Sequence, residues 1–388
     1  MRAPLLLVVA ACGTGHDPPA SPDALVASDA SADATAVDDY PWDLPPGFPK
    51  PLVPPTNPMS VTKVELGRRL FYDIRLSGNQ TFSCASCHEQ ARAFADANIL
   101  AIGSTGEIHP RNSMPLMNVA YLGRFTWANN ALAELEMQAI VPIFGDDPVE
   151  LGLRNMESTL LTRLADEPLY PPLFAEAFPA DAEPISVANV VKALAAFQRT
   201  LISGRSPFDR FQLGDATAIS DSAKRGKDLF DSERLECFHC HQGFNLMDVV
   251  KYEGKPFVEA RFHNTGLYNL GGTGAYPAGN TGLYELTGNP ADMGKFRAST
   301  LRNIALTAPY FHDGSAATLD DVIDHYAAGG RTIASGPNAG IGAQNPFKSS
   351  FLIGFTLTDQ ERADLKAFLE SLTDETFVTD PRFADPWN

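Results

Sequence analysis

At 388 residues, with 44 % hydrophobic and 20 % charged side chains, the chain has the composition of a soluble globular protein and the length of two or three domains. A formal net charge of −17 argues against nucleic acid, which recruits basic surfaces, and suits plain solvation or a basic partner. Beyond the N-terminus no stretch approaches the eighteen or so apolar residues that a membrane span needs.

Residues 1–12 read as an export signal: Arg2, then an apolar run from Leu5 to Ala11. Val9-Ala10-Ala11-Cys12 is similar to a bacterial lipobox, which would make Cys12 a lipid anchor and the only membrane contact; the competing reading is an ordinary signal with an incidental cysteine. Residues 13–58 are rich in Pro, Ala, Ser and Asp, with no Lys or Arg between Arg2 and Lys50. Such a segment buries too little apolar surface to offset its ordering entropy, so a disordered tether is expected.

From residue 59 the pattern becomes helical, and an internal repeat follows. Gly67-x-x-Leu70-Phe71-x-x-x-Arg75-Leu76 returns as Gly226-x-x-Leu229-Phe230-x-x-x-Arg234-Leu235. Each copy leads into a C-x-x-C-H motif, Cys84-Ala85-Ser86-Cys87-His88 and Cys237-Phe238-His239-Cys240-His241. This is the attachment signature of c-type haem: two thiols reach two vinyl groups of one porphyrin, and the histidine lies under the iron. A zinc knuckle would need two more ligands at close spacing, and none follows either pair. These motifs take four of the five cysteines, leaving only Cys12 and no structural disulfide. Covalent attachment of this kind takes place outside the cytoplasm, in keeping with an export signal.

Between the motifs, Leu132–Ile140, Met156–Leu164 and Val187–Leu201 have helical spacing. Arg205 to about Ser220 is expected as the connection, with Ser220 or Ser222 capping the next helix. Gly266–Gly294 reads as loop with a short hairpin. Leu319–Ala328 and Thr358–Leu372 are again helical, the latter with a Thr358-x-x-Glu361 capping box. The expected fold is all-α: two tandem cytochrome c-like domains with long loops, one over 59–210 and completed by 356–388, the other over 211–355.

With these motifs in place, the chain from Ser60 to Leu372 resembles the bacterial di-haem cytochrome c peroxidase and MauG superfamily. The likeness is greatest to its methanobactin-associated, MbnH-like branch. The stretches that carry it include LGRRLFYD, CASCHEQARAFAD, HPRNSMPLMNVAY, FTWANNALAELEMQ, FGDDPVELGL, AYPAGNTGLYE and LRNIALTAPYFHDG. The resemblance implies roles residue by residue. His88 would ligate a first, peroxide-reacting haem and His241 a second. Glu150 would be the distal acid that moves a proton as the O–O bond breaks, with Gln138 and Pro142 beside it, and Trp127 would lie between the haems. Reductively activated members carry a second histidine on the first iron; Ser104 stands at that place here, which implies an open iron, although His109 nearby is an alternative ligand. On the second iron the peroxidases' methionine is replaced by Tyr326, with Met293, His325 or His263 as alternatives. A phenolate oxygen favours oxidised iron where a thioether favours reduced iron. An interdomain Ca²⁺ is also implied, on the Asn112 side chain and the carbonyls of Thr307 and Pro309. Trp127-Ala128-Asn129-Asn130 departs from the peroxidases' W-D-G-R, which puts their activation chemistry in doubt.

The expected function is therefore a hydrogen-peroxide-dependent di-haem oxidase. It would store two oxidising equivalents across two covalent haems c and withdraw them from a partner protein at tryptophan, a small copper-binding protein by resemblance. The alternative is a di-haem cytochrome c peroxidase fed by a small redox protein. A pure electron carrier would need both irons closed.

Overall fold

The computed structural model describes residues 40–387. The export signal, Cys12 and the first part of the expected tether lie outside them. Eleven α-helices run in chain order among the described residues: α1 (Val61–Tyr72), α2 (Leu135–Phe144), α3 (Glu157–Asp166), α4 (Tyr170–Ala177), α5 (Val187–Arg199), α6 (Pro207–Gln212), α7 (Asp221–Phe230), α8 (Tyr284–Thr287), α9 (Leu319–Ala327), α10 (Asp359–Glu370) and α11 (Glu375–Val378). The only strands among the described residues are two-residue pairs: β1 (His263–Asn264) antiparallel to β2 (Lys295–Phe296), and β3 (Thr332–Ile333) antiparallel to β4 (Gly340–Ile341). The expected all-α character is thus observed.

Helix starts follow local chemistry. Ser60, Ser186, Ser220 and Thr358 each accept a hydrogen bond at the N-terminus of their helix, satisfying an amide that the helix cannot. The capping box between Thr358 and Glu361 forms as expected. Arg205–Ser220 is more than a connection, because Ser206 and Asp209 cap α6 reciprocally and Pro207 opens it.

Apolar side chains collect in two main cores. The first takes Leu66, Leu70 and Phe71 from α1, Phe174 from α4, and Leu194 and Phe197 from α5. The second takes Phe208, Phe230, Ile323, Leu365 and Phe368 from α6, α7, α9 and α10. Burying each such side chain contributes roughly 1.5–3 kcal/mol. The C-terminal segment divides between them: α10 packs in the second core, whereas Phe377 and Phe383 return to the first. A smaller cluster of Val119, Leu122, Phe125, Leu135, Ala195 and Met247 links the two, beside a bridge from Leu122 to Val250.

The tether expected up to residue 58 ends earlier. Phe48 sits edge-on to Phe244 at 4.9 Å and under the Arg302 guanidinium at 4.7 Å. Tyr121 donates its hydroxyl hydrogen to the Pro49 carbonyl at 2.8 Å, and Asn57 is fully buried against Glu136. A few aromatic and amide anchors outweigh a composition that otherwise favours disorder.

Candidate active site

The two C-x-x-C-H motifs fold alike. Cys84–Ser86 and Cys237–His239 each form one 3-10 turn, and all four thiols are free. Burial pushes Cys84, Cys87 and Cys237 up to about 12, with the charge of Glu150 adding to the shift at Cys84 and Cys87. These sulfurs are held as thiols, not thiolates. The histidines are oriented by one device: the His88 Nδ1–H donates to the Phe94 carbonyl at 2.8 Å and the His241 Nδ1–H to the Leu246 carbonyl at 3.3 Å. Burial holds both rings neutral by lowering their proton affinity. Each therefore keeps a lone pair on Nε2, the form that binds metal.

Around the second motif lies a cavity of about 220 Å³ lined by Cys237, Cys240, His241, Tyr326, Trp127 and His263, with apolar walls from Phe230, Leu235, Leu267, Phe296 and Ile304. Tyr326 comes from α9, and its hydroxyl has no hydrogen bond among the described residues. Burial and the nearby cysteines raise its phenol well above the usual range. The alternatives are engaged elsewhere. His263 donates from Nε2 to Asp248 at 2.7 Å, and although burial opposes its charge, that bond and Cys240 raise it to about 9. His325 donates from Nε2 to the Thr265 carbonyl at 2.9 Å, and neither it nor Met293 lines the cavity.

Two cavity residues were not singled out from the sequence. His312 stacks on Phe296 with centroids 3.6 Å apart, and burial lowers it to about 3. Its Nε2 is buried without a partner among the described residues. Arg297 is also buried, with Nε donating to the Thr126 carbonyl at 3.2 Å. His312 lies within the LRNIALTAPYFHDG stretch that carries the resemblance, whereas Arg297 lies just before it in Lys295-Phe296-Arg297-Ala298, with no signal of its own. Thiols, an imidazole lone pair, a phenol, apolar walls and an orphaned polar atom together fit a porphyrin with acidic side arms.

Near the first motif, Glu150 lies close enough for its charge to act on the Cys84 and Cys87 thiols. Glu150 is half-buried, and desolvation raises its carboxyl above the usual range, opposed by His109. Gln138 and Pro142 lie one turn apart on α2, and the Leu151 amide donates to the Pro142 carbonyl at 2.9 Å, tying helix to loop. Pro142 has no N–H for the carbonyl of Gln138, four residues before it. Ser104 is buried, its amide donating to the Glu150 carbonyl at 2.7 Å. His109 is buried too, with Nε2 donating to the Val149 carbonyl at 3.2 Å.

Trp127 lines the second cavity while its Nε1–H donates to the Asn112 carbonyl at 2.7 Å. It thus joins the cavity to the segment that carries Ser104 and His109. Asn112, Thr307 and Pro309 line this cavity as well. The Asn112 amide nitrogen donates to Asn98 and Ile99 carbonyls, and its Oδ1 accepts no hydrogen bond among the described residues. The Thr307 and Pro309 carbonyls also accept no hydrogen bond among the described residues, and unpaired oxygens are the donor type that suits Ca²⁺. No carboxylate-rich metal cluster occurs among the described residues.

Residues 61–217 match the profile of the di-haem cytochrome c peroxidase family. The chain is 36 % identical to methylamine utilization protein MauG of Methylorubrum extorquens over 83 % of this chain and 81 % of that one. It is 36 % identical to cytochrome-c peroxidase IdrP1 of Denitromonas iodatirespirans, over 88 % and 89 %. A solved MauG-like protein associated with microbial copper homeostasis superposes with a TM-score of 0.87 at 51 % identity, covering 89 % of this chain and 99 % of that one.

Proposed function

The chain belongs to the di-haem cytochrome c peroxidase and MauG family, oxidoreductases that act on hydrogen peroxide, and from that premise we propose an exported oxidase that uses peroxide to oxidise a partner protein at tryptophan. Two covalent haems, on Cys84, Cys87 and His88 and on Cys237, Cys240 and His241, would supply peroxide cleavage and storage of two oxidising equivalents. The chain's own residues prepare that chemistry. Glu150, whose carboxyl desolvation raises above the usual range, takes a proton from one peroxide oxygen and returns it to the other, with the Gln138 amide beside it. Tyr326 would hold the second group through its phenol oxygen, giving up a proton that burial otherwise keeps there. The Trp127 indole links the two centres, and its Nε1 proton can shift toward the Asn112 carbonyl, 2.7 Å away, when the ring gives up an electron. Asn112, Thr307 and Pro309 would hold Ca²⁺ through oxygen.

The single observation that carries this reading is that Tyr326 and His241 line one cavity, with the phenol free of any other partner among the described residues. An oxygen ligand makes the second centre a poor acceptor for ordinary cytochrome electrons and a good sharer of oxidising equivalents. The copper-homeostasis relative points to a small copper-binding protein as partner. No helix among the described residues is long and apolar enough to cross a membrane. Mass spectrometry of candidate partners after incubation with enzyme and peroxide tests the assignment. A mass gain on a partner tryptophan supports it. Peroxide removal that depends instead on a reduced cytochrome or cupredoxin would establish the peroxidase alternative.

A further inference from the structure

We propose that the hairpin from Ala101 to Asn112 is a fixed brace for the Glu150 loop, with His109 as the positioning residue that sets the carboxyl in place before peroxide arrives. The inference rests on Glu150 being the proton-transferring group. The hairpin is closed by the Ile102–Ile108 bridge, by the Gly103 amide donating to Glu107 at 2.8 Å, and by the His109 amide donating to Ala101 at 2.9 Å. It meets the Glu150 loop at several points. The Ser104 amide donates to the Glu150 carbonyl at 2.7 Å, the Val149 amide donates to the Glu107 carboxylate at 3.2 Å, and the His109 Nε2–H donates to the Val149 carbonyl at 3.2 Å. Gly103 lies so close that a Cβ there would stand 1.8 Å from the Val149 oxygen. The brace is itself anchored, because Asn79 donates from Nδ2 to the Ser104 carbonyl at 2.6 Å, and Asn79 lies five residues before Cys84.

Of the hydrogen bonds between the hairpin and the Glu150 loop, two use side chains, those of Glu107 and His109. Glu107 is exposed, where such a bond contributes little. His109 is 8 % exposed, where losing a donor leaves a carbonyl unpaired and the loop free to move. A carboxyl that passes a proton between two oxygens must hold its position to within a fraction of an ångström, so a loosened loop slows the reaction.

The test is a double-mutant cycle on the haem-loaded protein, reading the rate of the oxidised enzyme with hydrogen peroxide and hydrogen exchange at residues 147–151. His109→Phe keeps the ring volume and removes the donor, and is expected to slow the reaction at least ~10-fold and to speed exchange at Val149 and Leu151. His109→Gln, which restores an N–H, is expected to recover most of the rate. In a Glu150→Gln background His109→Phe should change the rate less than about two-fold, because the group it positions is gone. A rate unmoved by His109→Phe, or an equal loss in both backgrounds, overturns the brace. If Glu150→Gln alone leaves the rate unchanged, the role of Glu150 fails. The brace is then judged on exchange: faster exchange in His109→Phe supports it and unchanged exchange overturns it. Should His109→Phe fail to fold, Gly103→Ala, which displaces the Val149 carbonyl, is expected to give the same masked loss. Retention of the full rate in that variant overturns the proposal.

Discussion

A Cβ on Gly67 would stand 1.9 Å from the Ala193 carbonyl oxygen, so α1 crosses α5 at a point where only a hydrogen atom fits. Gly226 meets Asp364 in the same way, at 1.9 Å, where α7 crosses α10. Phe197 and Phe368 lie one turn further along the partner helices and close each contact, both at 2.9 Å from the added Cβ. This is the physical content of the internal repeat: a glycine crossing, then a C-x-x-C-H turn. Gly67→Ala and Gly226→Ala are each expected to cost about 1–3 kcal/mol or more through overpacking. The shift in denaturation midpoint of the haem-loaded protein measures it. Substitution of exposed Gly47, which has no atom within 4 Å of a Cβ but adopts φ +81°, tests backbone strain alone.

Asp209 and Arg302 form a buried two-pronged pair, Nη1 to Oδ2 and Nη2 to Oδ1 both at 2.9 Å. Burial alone would raise the Asp209 carboxyl, but the Arg302 hydrogen bonds and charge outweigh it and hold the group below the usual range. A depressed carboxylate contributes stability above its unfolded pKa of about 3.9 and loses it as pH falls through the folded value. Acid unfolding of Asp209→Asn should therefore show a flatter dependence below about pH 4 than the parent. Arg302→Met should cost about 3–5 kcal/mol at neutral pH by stranding the carboxylate.

Trp127→Phe keeps an aromatic ring in the cavity wall and removes both the Nε1–H bond to Asn112 and the easily oxidised indole. Peroxide should still be consumed at the first centre. Oxidation of the partner should fall by about ten-fold or more, as expected for the loss of a link worth about 1.4 kcal/mol or more in the barrier. Stopped-flow optical spectra and partner mass spectrometry, run on the same samples, separate these two effects. An equal fall in both would place Trp127 in the packing instead.

The unpaired oxygens of Asn112, Thr307 and Pro309 lead to a further expectation. Elemental analysis should find about one calcium per chain. Removal by chelation should lower the thermal midpoint and slow communication between the centres, both restored by Ca²⁺ and not by Mg²⁺. Mg²⁺ demands a tighter, near-octahedral shell than backbone carbonyls provide.

Much of this was legible beforehand because it is local. The two C-x-x-C-H motifs, the serine and threonine caps and the apolar periodicity of α5, α9 and α10 are each written within a few residues. Helix α4 was missed although Tyr170-Pro171-Pro172 carries prolines in its first turn, a start signal that reads as loop when weighed only as composition. The segments that face the two glycines, residues 193–197 and 364–368, were not read as a pair from the sequence. Their meaning depends on which helix crosses which. What spacing cannot carry is long-range pairing: the packing of residues 40–58, the Trp127–Asn112 bond and the grip of His109 on Val149 join segments from 15 to more than 70 positions apart.

The most direct measurement is to add one equivalent of hydrogen peroxide to the oxidised protein and to its Tyr326→Met variant, following optical and electron paramagnetic resonance spectra. In the parent, one open high-spin and one closed low-spin centre are expected at the start. Both should change together without prior reduction, and Tyr326→Met should abolish the shared change while making the second centre easier to reduce. A parent protein that reacts with peroxide only after taking up one electron, and whose spectra Tyr326→Met leaves unaltered, would contradict it.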